Sequence, residues 1–413
     1  MSLLLLAGTA DAQSDLDAKL KRLNDAAQAD SALSADFKAA LADFAAASAK
    51  GGGGGGLGAW ADKLKCYGDF RLRHETDFNL DDAETRHRER VRLRVGGTWQ
   101  ANDQMTVGAR LVTGTLTDEN SPHQNLGATL DKMSISLDRA FVTWKPTWFK
   151  DGWITGGKFG HSIDRNPVYG ELVWDDDVQP SGIAAGGTAG AFKWMAGEYI
   201  LLDNATSGVV ESAWAFVAQV SASRKVGEKN KLSGALALYR YQTLNPDDAD
   251  GSRLFAENAG NATIDTTGNA VADDYASRFT IWNPFIAFEN NGFSKPLVFS
   301  AEYIFNSRAR IDGDTGWSAG AKWGAAKAKG DWQFYYNWQS IQQDAVLSNF
   351  TNDDFLFGTN YRGHLLGAKW QCLDQAELHF WGSAMRRDDL GTTATTDEDD
   401  TQYRVRADLN IRF

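Results

Sequence analysis

The carboxy-terminal stretch from Tyr403 to Phe413 constrains the fold more than any other part of the sequence. Every odd position is apolar, and every even position carries a charged or amide side chain. This period of two is the pattern of a β-strand with one apolar face and one polar face. In a soluble sandwich the apolar face would meet a protein core, whereas in a transmembrane barrel it meets lipid and the polar face lines a water-filled lumen. One strand does not decide between these two folds.

The same alternation recurs along the chain from Cys66 onward, in segments separated by polar or Gly-rich connections. Residues 332–339 show it clearly, with Trp, Phe, Tyr and Trp at the even positions. Short connections alternate with longer and often acidic ones, as at the periplasmic and extracellular ends of bacterial barrels, whose strand number is even. We therefore predict an all-β transmembrane barrel of about sixteen antiparallel strands over residues 66–413.

The composition fits a barrel better than a soluble protein. Mean hydropathy is −0.40, and no apolar run approaches the ~20 residues that a transmembrane helix needs. Fifteen tryptophans would require an unusually large soluble core, whereas a barrel places its aromatic residues in two interfacial girdles. Trp99, Trp144, Trp153, Trp332 and Trp370 fall at the short-turn ends of predicted strands, as members of one girdle would. The net charge of −12, with dispersed basic residues, argues against a nucleic-acid partner.

The amino-terminal region predicts export. Leu3 to Ala7 form a short apolar run, and Ala10-Asp11-Ala12 has the A-x-A pattern of a signal-peptidase site. We interpret residues 1–12 as a signal-peptide remnant. Because the basic n-region is missing, we expect the start of this sequence to be truncated or misassigned.

Residues 13–50 carry a different periodicity, with apolar side chains at spacings of three and four in an Ala-rich background. This pattern predicts a periplasmic α-helical segment. Two interpretations remain open: amphipathic helices packed on the barrel or on each other, and a short coiled coil joining three subunits. Residues 51–65 begin with an unbroken run of glycines from Gly51 to Gly56 and are predicted to be a linker.

The residues that usually carry catalysis or metal binding are sparse and scattered. Cys66 and Cys372 have no CxxC spacing, so a zinc or redox site is not expected, although a disulfide between them remains open. The six histidines form no spacing that places a catalytic constellation. The run Asp175–Asp177 could attract calcium, but no neighbouring spacing supplies the six or more oxygens that calcium needs. We expect neither an enzyme nor a cofactor or metal site.

Inward-facing positions of neighbouring strands carry many basic residues, and closure of the barrel would place the last strand beside the first. These residues are predicted to form one basic wall of the lumen. They are Arg71, Arg73, Arg90, Arg92, Arg94, Arg110, Arg139, Lys158, Arg404 and Arg406. Cations this close repel one another, so they need water, counter-ions or acidic partners.

Acidic partners are available in the third long connection, His161–Ser181. Its acidic residues are Asp164, Glu171, Asp175, Asp176 and Asp177. The alternative is that Asp175–Asp177 are solvated loop charges, as runs of like charge usually are.

A barrel of this size, with an exported amino terminus, a terminal Phe413 and a third loop set against a basic wall, resembles the trimeric outer-membrane porins. Residues 66–413 resemble the putative-porin group, which often carries a helical amino-terminal segment. The resemblance implies that the third loop folds inward and narrows the pore, which makes its acidic residues candidates for the constriction. It also implies that Phe413 ends the closing strand by which such barrels are recognised for insertion.

The function implied by the resemblance is a passive diffusion channel in the cell outer membrane for small hydrophilic solutes and ions. The protein would be a homotrimer in contact with lipid and lipopolysaccharide. Two alternatives remain open. One is a solute-selective channel in which the arginine wall acts as an anion or phosphate ladder. The other is a structural anchor of the outer membrane whose amino-terminal helices contact the cell wall.

Overall fold

The computed structural model describes residues 63–79, 85–115, 118–127, 132–203, 212–242, 244, 257–266, 268, 271–387 and 401–413. The predicted signal remnant, the predicted helices and most of the predicted linker therefore lie outside the described residues. Within the described ranges, no helix combines the length and apolar character needed to cross a membrane. The chain divides into two compact units, of which the larger comprises Tyr67–Gly96 and Val107–Phe413. The described part of the smaller unit is 63–66 and Gly97–Thr106.

Sixteen long strands, numbered here in chain order, form one antiparallel sheet within the described residues. The first eight are β1 (Leu64–Phe78), β2 (Arg86–Gln100), β3 (Met105–Thr113), β4 (Ile135–Trp144), β5 (Gly152–Lys158), β6 (Ser181–Ala189), β7 (Phe192–Leu202) and β8 (Ala213–Val226). The others are β9 (Asn230–Gln242), β10 (Thr280–Asn290), β11 (Leu297–Asn306), β12 (Thr315–Gly324), β13 (Trp332–Ile341), β14 (Tyr361–Leu373), β15 (Ala376–Arg387) and β16 (Gln402–Arg412). Short strands at Gln124–Asn125, Thr263–Ile264 and Asp274–Tyr275 lie in long connections. The predicted strand number is confirmed, and β1 begins at Leu64, two residues before the predicted boundary at Cys66.

The sheet closes into a barrel because β1 pairs with β16. The two strands are antiparallel, with a register that runs from Asp69 opposite Arg412 to Phe78 opposite Tyr403. The pairing continues to the last residue. The Gly68 amide donates to the Phe413 carbonyl at 2.8 Å, and the Phe413 amide donates to the Gly68 carbonyl at 3.0 Å. Closure removes the unpaired edges that an open sheet would expose.

Side chains alternate between the two faces of each strand, as the period of two predicts. On β11, Phe299 is 51% exposed and Tyr303 is 45% exposed, whereas Ser300 and Glu302 between them are buried. The apolar side chains therefore point outward, to the position of lipid in a transmembrane barrel, and the polar ones point into the interior.

Outward aromatic side chains lie at both ends of the strands from β12 to β14. Trp317 and Trp338 are in contact near the long-loop end, with ring centroids 4.0 Å apart. Trp332 and Trp370 stack near the short-turn end, with centroids 5.6 Å apart. These two positions fit the two girdles expected of a transmembrane barrel. Trp153, predicted to join a girdle, instead packs against the buried core inside the barrel.

The barrel interior is not uniformly polar. Two long connections enter it: L3 (residues 159–180), between β5 and β6, and L7 (residues 342–360), between β13 and β14. Their apolar side chains form one buried cluster with inward-facing residues of strands between β6 and β15. In L3 the cluster includes Leu172 and Trp174, and in L7 it includes Leu347 and Phe350. Most of the buried charged side chains lie along β16, β1 and β2.

Candidate pore constriction

Arginines line three adjacent strands, β16, β1 and β2, on the inner face of the barrel. They are Arg404 and Arg406 on β16, Arg71 and Arg73 on β1, and Arg88, Arg90, Arg92 and Arg94 on β2. Pairing of β1 with β16 brings the first two groups together, as the sequence predicts. Arg88 was not among the predicted residues, although it has the same inward parity as Arg90.

Acidic residues on these same strands neutralise much of the wall. Arg73 donates two hydrogen bonds to Asp408, at 2.7 and 2.9 Å. Arg404 binds Asp77 in the same two-point manner, at 2.6 and 3.2 Å. Such planar pairs satisfy both oxygens of the carboxylate and fix the guanidinium plane. The wall is therefore a network of alternating charges, and its acidic members were missed by the sequence prediction.

Arg406 is the most enclosed member of the wall. Its guanidinium pairs with Glu75, and the side chains of both residues are fully buried. It also donates to Asp354 of L7 at 2.7 Å and lies over the ring of Trp381, 4.5 Å from the ring centroid. Removal of a partner from such a buried network leaves an unpaired charge.

The remaining predicted basic residues lie beyond this network. Arg110 pairs with Asp138 on neighbouring β4. Arg139 donates to the side chain of Gln179 at 2.7 Å, and Lys158 donates to the Gln179 carbonyl at 2.9 Å. Arg139 on β4 and Lys158 on β5 therefore hold the end of L3 to these two strands. The predicted continuous basic surface is divided between structural anchors and the arginine network.

The five predicted acidic residues of L3 point in different directions. Asp164 pairs with Lys193 at 3.2 Å and lies away from the arginine wall. Asp176 pairs within its own loop, with Arg165 at 3.0 Å. Asp177 alone makes direct ion pairs with the wall, reaching Arg94 at 3.0 Å.

Glu171 and Asp175 are buried close to other carboxyl groups of the two loops. Burial, with the nearby carboxylate of Asp354, raises the pKa of Glu171 well above its ordinary value. Burial and Glu171 raise the pKa of Asp175 in the same way. Both carboxyl groups therefore bind protons at a higher pH than a solvated carboxylate does.

L7 supplies two acidic residues that the sequence prediction missed. Asp353 and Asp354 both approach Arg406, with nitrogen–oxygen distances of 3.8 and 2.7 Å. Burial tends to raise the pKa of Asp353, but Arg406 and Arg73 more than offset it and hold that pKa below its ordinary value. Asp353 is therefore a persistent negative charge, with 31% of its side chain exposed.

L3 and L7 pack as one layer. The Trp174 ring stacks on Phe350 with centroids 4.9 Å apart, and the Asp175 amide donates to the Phe350 carbonyl at 2.7 Å. The Tyr169 hydroxyl donates to Asp354 at 3.1 Å. Aromatic stacking and hydrogen bonds thus position the acidic residues of both loops opposite the arginines.

Two cavities lie beside this layer. The larger, about 510 Å³, is lined by Arg71, Arg73 and other members of the wall, and by Glu171, Asp353 and further acidic residues of both loops. The smaller, about 280 Å³, lies against L3 and the connection that follows β3. Asp177 lines both cavities.

The structure bears on a metal site and on a disulfide among the described residues. They contain no group of three or more His, Cys, Asp or Glu side chains arranged to hold a metal ion. Cys66 and Cys372 are free thiols, so the disulfide that the sequence left open is not formed in this structure.

The sequence profile of the putative porin family matches residues 79–283 and 278–387, more than half of the chain. The chain belongs to the putative porin family. This porin also resembles solved porin structures. OprB of Pseudomonas putida matches with a TM-score of 0.54 and 10% identity, covering 91% of this chain and 96% of that one. OmpF of Salmonella typhi, in complex with daunomycin, matches with a TM-score of 0.50 and 10% identity, covering 85% and 97%.

At such identities the structural likeness concerns the fold alone, and that fold is the porin barrel. Among curated proteins no sequence matches this porin significantly. The predicted family, the barrel and a channel of the outer-membrane type are supported together by the family match and the fold. The helical amino-terminal segment is outside the described residues and stays a prediction.

Proposed function

We propose that this porin is a passive diffusion channel for small hydrophilic solutes and ions, narrowed by L3 and L7 acting together. The observation that supports the proposal best is the apposition of the two inward-folded loops with the arginine network of β16, β1 and β2. One side of the interior is filled by apolar packing. The path for water and solute then follows the charged side, where the larger cavity lies.

The charges that line this path have both signs. Arg71 and Lys369 line the larger cavity together with Asp177 and Asp353. A permeant between them experiences a transverse field that orients its own charges, because low-dielectric walls strengthen the interaction. An anion-selective channel is the alternative, favoured by the cations that line the larger cavity, among them Arg71 and Lys369. We also propose a homotrimer in the outer membrane, in contact with lipid and lipopolysaccharide. Contact with the cell wall stays a prediction, as does the absence of enzyme activity.

Liposome swelling tests the proposed function. Liposomes containing the purified porin are expected to swell quickly in an isotonic pentose and much more slowly in a tetrasaccharide, because the constricted path limits solute size. Empty liposomes and liposomes with heat-denatured protein are the controls. Failure of the pentose to enter faster than it enters empty liposomes would contradict the channel.

A further inference from the structure

Arg92 and Arg94 form a two-point clamp that already holds a carboxylate. Nη1 of Arg94 donates to Oδ1 of Asp177 at 3.0 Å. Nη1 of Arg92 lies 3.9 Å from Oδ2 of the same carboxylate. One carboxylate therefore has an oxygen directed at each guanidinium, which is the geometry by which paired arginines recognise an oxyanion.

The opposite edges of the two guanidinium groups are fixed by a different carboxylate. Asp69 accepts from Arg94 Nε at 2.7 Å through one oxygen. Its other oxygen accepts from Arg92, from Nε at 3.1 Å and from Nη2 at 2.7 Å. Because Asp69 holds these edges, the clamp keeps its shape when the occupant on the Nη1 side leaves. The site is thus preorganised for the oxyanion.

The present occupant is tethered to L3 and is not buried. Asp177 keeps 19% of its side chain exposed, and Arg94 keeps 21%. Water therefore reaches both partners of this ion pair, and an entering solute can reach them too. The Asp177 backbone is held separately, because its amide donates to Asp175 Oδ1 at 2.6 Å. The carboxylate can therefore leave the clamp by side-chain rotation without undocking the loop.

The clamp lies beside the two cavities of the proposed solute path. Asp177 lines both the 280 Å³ and the 510 Å³ cavities, and the clamp arginines line the larger one. We propose that Arg92 and Arg94 are a binding subsite for small carboxylate solutes, and that Asp177 is a tethered competitor which such solutes displace as they pass between the cavities. This inference rests on the proposed channel function and names the solute class that the channel favours.

Acetate block of single-channel chloride current tests the subsite. At constant ionic strength, replacement of chloride by acetate is expected to reduce the current in a saturable manner. In Asp177→Asn the half-saturating acetate concentration should fall about tenfold, since the tethered competitor acts at an effective concentration in the millimolar range. The asparagine keeps the backbone amide bond to Asp175, so the loop conformation is retained.

Asp176→Asn is the matched control. It removes the same charge from the neighbouring residue, which pairs with Arg165 and has a side chain that is 71% exposed. The half-saturating concentration should stay at the wild-type value in this variant. Equal shifts of the half-saturating concentration in both variants would show a through-space charge effect and overturn the subsite. The subsite would also be overturned if the reduction of current by acetate did not saturate in the wild type or in Asp177→Asn. Chloride current without acetate separates the two proposals, because its absence from the wild type refutes the channel itself.

Discussion

Replacement of Arg406 with methionine is expected to lower the thermal stability of the barrel and to increase single-channel conductance. Methionine retains much of the apolar length but removes the arginine that pairs with Asp354 and one of the arginines around Glu75, which keeps Arg88. Removal of one partner from a buried pair costs about 3–5 kcal/mol. Part of this cost falls on the docking of L7, because Arg406 also donates to the Asp353 carbonyl at 3.2 Å. A released L7 widens the path beside the arginine wall.

The measurement is the temperature at which the folded protein loses its faster mobility in gel electrophoresis, followed by conductance in planar bilayers. Arg412→Met is the matched control, because Arg412 lies on the same strand and its side chain is 63% exposed. An arginine this exposed contributes about 0–1 kcal/mol through its ion pair. Asp354→Asn should recover part of the loss in Arg406→Met, since it removes one unpaired charge. Equal transition temperatures for the two arginine variants would contradict the buried-network account.

Replacement of Trp174 with alanine is expected to leave the barrel closed but to loosen the layer formed by L3 and L7. Trp174 is 2% exposed, stacks on Phe350, and donates its indole N–H to the Val178 carbonyl at 3.0 Å. Loss of a buried tryptophan costs about 3–5 kcal/mol. Strand pairing does not depend on this residue, so the cost should fall on loop docking.

We expect a larger and noisier single-channel current for Trp174→Ala, because the loops no longer hold one position. Trp148→Ala is the control, since Trp148 is 70% exposed and lies on the connection between β4 and β5. Its current should match that of the wild type. A quiet current of wild-type size in Trp174→Ala would mean that the two loops do not bound the conducting path.

The barrel could be predicted from the sequence because the alternation of apolar and polar residues is visible within each strand. A strand with one lipid face and one lumen face must alternate, and closure of the sheet follows from the pairing of the first strand with the last. The arginine wall follows from the same parity. The same parity also held a signal for the acidic members that the prediction missed. Odd positions of β1 carry acidic and basic residues alike: Asp69, Arg71, Arg73, Glu75 and Asp77.

The conformations of the long loops depend on tertiary contacts, which a local sequence pattern does not reveal. Asp175, Asp176 and Asp177 are consecutive, yet one is buried, one pairs within the loop and one reaches the wall. Nothing in a run of three identical residues distinguishes these roles. L7 did carry a signal: Ala345-Val346-Leu347 is an apolar run in a long connection, and such a run needs a buried surface.

The central claim is that the conducting path runs between the acidic residues of L3 and L7 and the arginine wall. Reversal potentials in a gradient of KCl test it directly, with one charge removed from each side. Arg71 and Asp353 both line the larger cavity. Arg71→Gln is expected to shift the reversal potential towards cation preference, and Asp353→Asn towards anion preference. Both shifts should shrink at high salt, as the Debye length falls from about 10 Å at 0.1 M to about 3 Å at 1 M. Reversal potentials equal to that of the wild type in both variants at low salt would contradict the account.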